Sequence, residues 1–261
     1  MSRMLAFVAD RALTPAEAWG GELLDEFAAL ARLHSDGWGS AWTDPVSGVS
    51  GTSGVDPFLP ARLDGAAAST ARTVYLRFAS KGSPPRLENT QPFVREGLAF
   101  QHNGLLAPRE LALGLLSPEE AAGLVGDTDS EVYFAIVRRH LGAAGAAGEA
   151  RLKALADAVG EVRAVYPASC LNAFVLDGAG LFVVHAAGSA PTPLAAFAGR
   201  GFVPEALPPG HDDGYNTLRT VRSASGGWIV ATSGVDQSGW AKLPRESVSR
   251  IDATGIRSTS L

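Results

Sequence analysis

The chain opens with MSRMLAFVADRALTPAE over residues 1–17, and this stretch predicts how the fold begins. Residues 5–9 form a short apolar run, which is typical of a buried strand. Thr14 and Glu17 have the spacing of a capping box, and Pro15 stands at the first helical position. A helix is therefore predicted to begin there and to run towards Leu33. Because the strand starts almost at the beginning of the sequence, Ser2 is expected to lie at a strand end.

Further along the chain, strand-like and helix-like stretches are separated by turn-rich segments. Short apolar runs predict strands at residues 38–42, 73–78, 98–102, 171–176, 181–185, 228–232 and 248–252. Two helices are predicted between these groups of strands, one beginning at the capping pattern of residues 128–131 and one over residues 149–165. Residues 177–180 read DGAG and predict a hairpin turn. The order lacks the regular alternation of a parallel doubly wound sheet, so we expect an α+β sandwich.

Composition and charge exclude several classes of protein. The chain has 261 residues, of which 46% are hydrophobic and 19% charged, and its net charge is -5. This composition predicts an ordinary folded protein, and the scattered Lys and Arg residues provide no basic surface for nucleic acid. No apolar run approaches the ~20 residues needed to cross a bilayer, and the first residues lack a signal peptide, so a cytoplasmic protein without a membrane partner is expected. A single cysteine, Cys170, agrees with a reducing compartment.

Five short segments, far apart in the sequence, carry the polar residues that indicate a function. They are DGWG at 36–39, LRFAS at 76–80, NTQPF at 89–93, HNG at 102–104 and TDSE at 128–131. In order and spacing they resemble the class II glutamine amidotransferases, the N-terminal-nucleophile glutaminase family. The segment 229–232 with Trp240 resembles the end of its compact, stand-alone bacterial members. The resemblance implies an Ntn-hydrolase fold, a four-layer αββα sandwich with two antiparallel sheets, and a single glutaminase-type domain over residues 1–261.

In this family the initiator methionine is removed, and residue 2 then supplies both the nucleophile and, through its free α-amine, the base. An amine with a pKa near ~7.7 can accept a proton at neutral pH, so no separate histidine is needed. The family carries cysteine at this position, whereas this chain carries Ser2, whose hydroxyl is a weaker nucleophile. Three accounts stay open: a natural serine hydrolase, a domain that has lost catalysis, and a chain altered at this position. Cys170 precedes a predicted core strand and is interpreted as a small buried residue, not as a substitute nucleophile.

The resemblance also implies roles for the other segments. The Asn103 side chain and the Gly104 NH would stabilise an oxyanion, Arg77 would bind the α-carboxylate of glutamine, and Asp129 would bind its α-ammonium. Three further residues are expected to shape the pocket wall: Ser80, Asn89 and Thr90. Each feature also has a purely structural interpretation, since Asn-Gly is a common turn, an arginine can form a surface salt bridge, and a carboxylate stabilises a helix N-terminus. The segment 36–39 is expected to pack beside the nucleophile.

The leading prediction is an amidohydrolase that acts on glutamine or a γ-glutamyl amide through a γ-glutamyl ester on Ser2. Two other interpretations remain: a non-catalytic glutamine-binding or regulatory subunit on the same fold, and a serine acylase for a different amide. No cofactor is expected because no glycine-rich phosphate loop follows a strand, and no metal is expected because the five histidines lack metal-ligand spacing. Any synthesis that uses the released ammonia would require a separate synthase partner.

Overall fold

The computed structural model describes residues 2–58, 60–63, 65–80, 82–145 and 148–261. Its strands are β1 (Arg3–Leu13), β2 (Trp38–Asp44), β3 (Gly48–Gly54), β4 (Ser69–Leu76), β5 (Phe93–Arg95), β6 (Leu98–Gly104), β7 (Leu171–Asp177), β8 (Gly180–His185), β9 (Arg219–Arg222), β10 (Trp228–Ala231), β11 (Ala241–Lys242), β12 (Ser247–Asp252) and β13 (Gly255–Ser260). Its helices are α1 (Pro15–Ala29), α2 (Arg109–Leu113), α3 (Pro118–Ala122), α4 (Asp129–Ala143), α5 (Gly148–Val165) and α6 (Leu194–Ala198). None of these helices combines the length and the hydropathy needed to cross a bilayer.

The strands form two antiparallel sheets. The strand order is β11-β9-β10-β1-β4-β2-β3 in the first sheet and β13-β12-β8-β7-β6-β5 in the second. Helix α1 packs on the outer face of the first sheet, and α4 and α5 pack on the outer face of the second. A third apolar core fills the space between the two sheets. The predicted α+β class and the four-layer αββα sandwich are therefore confirmed.

Strand β1 lies inside the first sheet, between β10 and β4. Its side chains alternate between two cores because successive residues of a strand point to opposite faces. Met4 and Ala6 pack between the sheets, whereas Leu5 and Phe7 pack with the residues of α1. The strand is longer than predicted at both ends. By the same alternation, Ser2 belongs to the face that looks towards the second sheet.

The predicted capping box at the start of α1 is present. Thr14 Oγ1 accepts a hydrogen bond from the Glu17 NH at 3.3 Å, and the Glu17 carboxylate accepts one from the Thr14 NH at 2.8 Å. The predicted extension to Leu33 is wrong, because α1 ends at Ala29 and a single turn of 3-10 helix follows. Gly20, with a φ of 75°, also interrupts the helical backbone within α1. Only glycine adopts such an angle without strain.

The second capping pattern begins a helix as predicted, but its glutamate acts elsewhere. Thr128 caps α4 by accepting a hydrogen bond from the Glu131 NH at 3.2 Å. The Glu131 carboxylate accepts hydrogen bonds from the backbone NH groups of Val125 and Gly126 at 2.8 and 2.7 Å. The glutamate therefore fixes the loop that precedes α4.

The hairpin predicted at residues 177–180 is confirmed, with Asp177 paired with Gly180 across the turn. Several short or edge strands were not predicted. Strand β3 reads GVSGTSG and β13 reads GIRSTS, and neither contains an apolar run. Each pairs through its backbone with a neighbouring strand, β3 with β2 and β13 with β12. An edge strand with one solvated face needs few apolar side chains, so its sequence pattern is weak.

Candidate active site

A cavity of about 360 Å³ lies beside the first residue of β1, the last residues of β4 and β6, and the first turn of α4. Antiparallel pairing of β1 with β4 brings the start of one strand to the end of the other. Six of the residues predicted from sequence line this cavity: Ser2, Arg77, Ser80, Asn89, Gly104 and Asp129. The other two, Asn103 and Thr90, are not among its lining residues.

Ser2 is 2% exposed, and its side chain is held on two sides. Its Oγ lies 2.6 Å from the Tyr75 hydroxyl oxygen and accepts a hydrogen bond from the Phe78 NH at 3.1 Å. The backbone nitrogen of Ser2 donates a hydrogen bond to Asn103 Oδ1 at 2.8 Å. Met1 lies outside the described residues, so its predicted removal stays a prediction. These contacts fix both the hydroxyl and the main-chain nitrogen of Ser2 at the cavity wall.

Tyr75 is a site residue that the sequence analysis missed. It is buried on β4, directly opposite Met4 of β1, and burial raises the pKa of its hydroxyl above the ordinary value. The hydroxyl therefore stays protonated at neutral pH beside Ser2 Oγ. A signal was available, because Tyr75 stands two residues before Arg77 and residues two apart in a strand share one face.

Asn103 is fully buried at the end of β6, and its amide is only partly satisfied. Its Oδ1 accepts from the Ser2 nitrogen, while its Nδ2 has no hydrogen-bond partner among the described residues. The Cys170 thiol donates to the Asn103 carbonyl at 3.1 Å, and burial raises the pKa of that thiol to about 11. Cys170 is thus a small, buried, protonated residue, as interpreted from sequence.

Gly104 follows Asn103 at a point where the chain comes too close to its neighbour for any side chain. A Cβ built there would lie 1.8 Å from the Cys170 carbonyl oxygen and 2.3 Å from His102 Nε2. Glycine is therefore required at this position by packing. The Asn-Gly pair does not form a hairpin turn, because both residues belong to β6 and pair with β7.

Arg77 comes directly after β4 and is only 4% exposed. Its guanidinium donates hydrogen bonds to the carbonyl oxygens of Asp36 and Pro84 at 3.3 and 3.2 Å, and to Ser83 Oγ at 2.7 Å. Within the described ranges no carboxylate pairs with it. The salt-bridge interpretation of Arg77 therefore does not hold for this part of the chain. Arg77 is thus a buried cation at the cavity, and no carboxylate of a described residue neutralises it.

The segment 36–39 holds the backbone that carries Arg77. The Arg77 NH donates to the Gly37 carbonyl at 2.8 Å, and the Asp36 carboxylate accepts a hydrogen bond from the Ala79 NH at 2.7 Å. Arg200 forms an ion pair with the same carboxylate. A Cβ at Gly39 would lie 2.3 Å from the Gln91 carbonyl oxygen, so the glycine permits this close approach. The segment therefore contacts the backbone of Arg77 and Ala79, and the expectation that it packs beside Ser2 itself stays a prediction.

Asp129 is the first residue of α4 and is half-buried at the cavity wall. Its Oδ2 accepts a hydrogen bond from the Leu106 NH at 2.6 Å. Thr128, and not Asp129, caps the helix. The carboxylate forms no ion pair with any described cation, so one of its oxygens is available to a group in the cavity.

Of the three residues expected to shape the pocket wall, two line the cavity and one does not. Ser80 lines the cavity and is half-buried. Asn89 also lines it, and its Oδ1 accepts a hydrogen bond from the Asp127 NH at 3.1 Å, which joins it to the loop before α4. Thr90 Oγ1 donates to the Arg86 carbonyl at 2.8 Å and does not line the cavity.

His102 also lines the cavity, but both of its ring nitrogens already have partners. Nδ1 lies 3.0 Å from Ser130 Oγ, and Nε2 lies 3.1 Å from the Cys170 carbonyl oxygen. Burial lowers the pKa of this imidazole below its ordinary value, so it is neutral at neutral pH. His102 is a satisfied core histidine, as interpreted from sequence.

The sequence and the fold agree with a known family. The model of the family described as glutamine amidotransferases class-II matches residues 1–194, and the chain belongs to this family. No curated protein sequence matches the chain.

Three solved structures illustrate the similarity in fold. A glutamine aminotransferase class-II domain protein from Silicibacter pomeroyi is 18% identical, with a TM-score of 0.61 and 99% of each chain covered. A predicted glutamine amidotransferase from Pseudomonas aeruginosa is 20% identical, with a TM-score of 0.53 and coverage of 99% of this chain and 95% of that one. Glutamine phosphoribosylpyrophosphate amidotransferase from B. subtilis is 14% identical, with a TM-score of 0.60, and the match covers 100% of this chain but 49% of that one. Identities this low show the shared fold alone.

Proposed function

We propose that this chain is an amidohydrolase that acts on glutamine or a γ-glutamyl amide through Ser2 as an N-terminal nucleophile. The observation that carries the proposal is the buried guanidinium of Arg77, which faces the same cavity as Ser2 and has no carboxylate partner among the described residues. A buried charge requires compensation, and the α-carboxylate of a bound amino acid would supply it. Membership of the class II glutamine amidotransferases supports the same substrate class.

The amino-acid end of the substrate would lie between two oppositely charged groups. Arg77 would bind the α-carboxylate, and the half-buried carboxylate of Asp129 would bind the α-ammonium. Ser80 and Asn89 also line the cavity. This arrangement leaves the γ-amide of the substrate at Ser2, where the reaction would take place.

The covalent step needs a base, and the α-amine of Ser2 would serve once Met1 is removed. Ser2 Oγ would attack the γ-carbonyl carbon, its proton would pass to the α-amine, and the amine would then protonate the leaving nitrogen. A γ-glutamyl ester would form on Ser2, and water would release glutamate. The Ser2 nitrogen is already oriented by Asn103 Oδ1 at 2.8 Å.

The negative charge that develops on the carbonyl oxygen also needs donors. Asn103 Nδ2 is buried without a partner among the described residues, and we propose that it and the Gly104 NH form the oxyanion hole. Such a donor typically contributes ~3 kcal/mol to the stability of the transition state. A buried unsatisfied amide is costly in the resting protein, which favours a functional reason for it.

The proposal covers the glutaminase reaction in one domain over residues 1–261 of a cytoplasmic, stand-alone bacterial protein. The chain spans about half the length of the B. subtilis phosphoribosylpyrophosphate enzyme that it matches. If the released ammonia is used for synthesis, a separate synthase would receive it.

Mass spectrometry tests the nucleophile directly. The intact protein would be incubated with glutamine and analysed for loss of Met1 and for a γ-glutamyl adduct on the N-terminal peptide. We expect processed protein with an adduct on Ser2, and Ser2→Ala as a matched control should give none. A processed chain that binds glutamine but forms no adduct would instead favour the non-catalytic binding subunit.

Replacing Ser2 with cysteine tests whether the surrounding site is competent. Ser2→Cys adds a more nucleophilic thiol at the same point, so the glutaminase rate should rise by at least about tenfold. An unchanged rate in a folded Ser2→Cys protein that still binds glutamine would contradict the assignment of Asn103 and Gly104 to the oxyanion.

A further inference from the structure

A second cavity, of about 460 Å³, adjoins the one that contains Ser2. The two cavities share part of their walls, formed by Phe78, Ala79, Ser80 and Leu105. The link to the nucleophile is short, because the same Phe78 donates its backbone NH to Ser2 Oγ. Cys170, whose thiol donates to the Asn103 carbonyl, also lines the second cavity. Phe78, whose NH contacts Ser2 Oγ, therefore lines both cavities.

The two cavities differ in their chemistry. The first is lined by charged and amide side chains such as Arg77, Asp129 and Asn89. The second is lined by alanine, proline, phenylalanine and leucine, and no charged side chain is among its described lining residues. Its polar side chains belong to Ser80, Ser169 and Cys170. An apolar cavity of this size corresponds to an organic group rather than to ammonia.

The positions of Arg77 and Asp129 define which part of a substrate would enter the second cavity. Both residues line the first cavity and neither lines the second. A γ-glutamyl group bound by them would extend to Ser2 through its side chain. The substituent on the amide nitrogen would then continue beyond Ser2, past Phe78 and Leu105.

We propose that the second cavity binds an apolar substituent on the amide nitrogen, so that the preferred substrate is a γ-glutamyl amide of an apolar amine rather than free glutamine. This inference rests on the proposed function. The bond between the γ-carbonyl carbon and the nitrogen breaks as the Ser2 ester forms. The nitrogen leaves as the amine after taking the proton that the Ser2 hydroxyl gave to the α-amine. Water then cleaves the ester to glutamate, so the products are glutamate and the free apolar amine.

Binding and turnover of γ-L-glutamyl anilide and L-glutamine would test the proposal on the full-length protein. Calorimetry would give the dissociation constants, and release of aniline or ammonia would give kcat/KM. We expect the anilide to exceed glutamine by at least about tenfold in affinity, as is typical when an apolar group fills a matching pocket.

A matched pair of variants on α6 isolates the cavity. Ala195 and Ala196 are both exposed, but only Ala196 is among the lining residues of the second cavity. Ala196→Phe should fill the cavity and reduce the ratio of anilide to glutamine affinity at least about fivefold, while Ala195→Phe should leave the ratio unchanged. Ala190→Leu fills the cavity from another segment and serves if thermal unfolding shows that Ala196→Phe is misfolded.

The outcomes separate this inference from the function on which it rests. If glutamine binds and is hydrolysed but the anilide has no advantage, or if the ratio is the same in Ala196→Phe and Ala195→Phe, the subsite is refuted and the glutaminase function stands. If neither compound binds and no adduct forms, the proposed function fails and the subsite fails with it. An anilide advantage that disappears only in the cavity variants supports both.

Discussion

Arg77 and Arg3 are both buried arginines, yet they lie in different surroundings. Arg77 is 4% exposed and lines the 360 Å³ cavity, whereas Arg3 is 0% exposed and does not line it. Neither forms an ion pair with a carboxylate in the part of the chain that the structure describes. Arg3 donates to the Ser2 carbonyl at 2.5 Å and to Ser233 Oγ at 2.6 Å, and its guanidinium lies 3.8 Å from the centre of the Tyr215 ring.

Burial of an arginine is therefore not enough to indicate a binding site. The Nε and Nη1 atoms of Arg3 are bonded to carbonyl oxygens and a hydroxyl, and its guanidinium packs on an aromatic face, while its Nη2 has no hydrogen-bond partner among the described residues. Burial lowers the pKa of Arg3 below the ordinary value. Arg77 is bonded on one side and faces a cavity on the other. Arg3 should therefore contribute to folding, and Arg77 should contribute to binding.

The largest effect is expected from Arg3→Met. The substitution leaves buried acceptors of Ser2, Tyr215 and Ser233 without their donor, so the free energy of unfolding should fall by about 3 kcal/mol or more. Urea denaturation measures this loss. Arg3→Lys should lose nearly as much, because one ammonium cannot span the same acceptors. If the free energy of unfolding of Arg3→Met fell by less than about 1 kcal/mol, Arg3 would not have the structural role that distinguishes it from Arg77.

The same substitution at the second arginine, Arg77→Met, should weaken the binding of glutamine more than it lowers the stability of the fold. Affinity for glutamine should fall about 100-fold, or about 2.7 kcal/mol, because a charge-assisted contact to the α-carboxylate is removed. The free energy of unfolding should fall by only about 1 kcal/mol, since water in the cavity can satisfy the Ser83 hydroxyl and the Pro84 carbonyl. Calorimetric titration and urea denaturation of one preparation give both values. Unchanged affinity with a large loss of stability would make Arg77 structural.

Counted per histidine and per pH unit, a smaller effect of about 1.4 kcal/mol on stability is expected from acid, and it should come from two histidines near Arg3. His34 and His211 lie near Arg3, with their Nε2 atoms 3.2 Å apart. Burial, followed by the nearby charge of Arg3, lowers the pKa of His211 to about 3 and that of His34 well below its usual range. Both are therefore neutral in the folded protein, whereas in the unfolded chain they gain a proton near pH 6.5.

Because the unfolded state binds more protons below pH 6.5, these histidines lower the stability as the pH falls from about 6.5 towards 3. The loss is about 1.4 kcal/mol per pH unit for each histidine, and above pH 6.5 their contribution is constant. Urea denaturation at pH 7, 6 and 5 would measure how steeply the free energy of unfolding falls with pH. His211→Gln should reduce this slope by the contribution of one histidine, about 1.4 kcal/mol per pH unit. An unchanged slope in that variant would show that other groups cause the sensitivity to acid.

Local patterns in the sequence predicted much of the fold. The capping box of Thr14 and Glu17 and the cap at Thr128 predicted where two helices begin, because each depends on residues only three positions apart. The interruption of α1 at Gly20 and the edge strand β3 were missed. Strand β3 pairs through its backbone with β2 and leaves no periodic apolar pattern.

The candidate site was predictable as a set of residues but not as an arrangement. Ser2, Arg77 and Asn103 were identified through the family's motifs, and the structure brings all three to one cavity or its wall. Tyr75 was missed, because its spacing from Arg77 indicates only a shared strand face, and not that β4 pairs with β1 and brings the Tyr75 hydroxyl to Ser2.

The sequence by itself determined the α+β class, the caps of α1 and α4 and the identity of the polar residues, because these depend on neighbours within one turn or one strand. Only the tertiary structure decided that Arg77 faces a cavity while Arg3 is enclosed, and that an apolar cavity adjoins Ser2. Those properties arise where strands far apart in the chain pair, as when the Ser2 nitrogen meets Asn103 Oδ1 across 101 positions. Contacts of that range depend on the register of whole sheets, which no local pattern specifies.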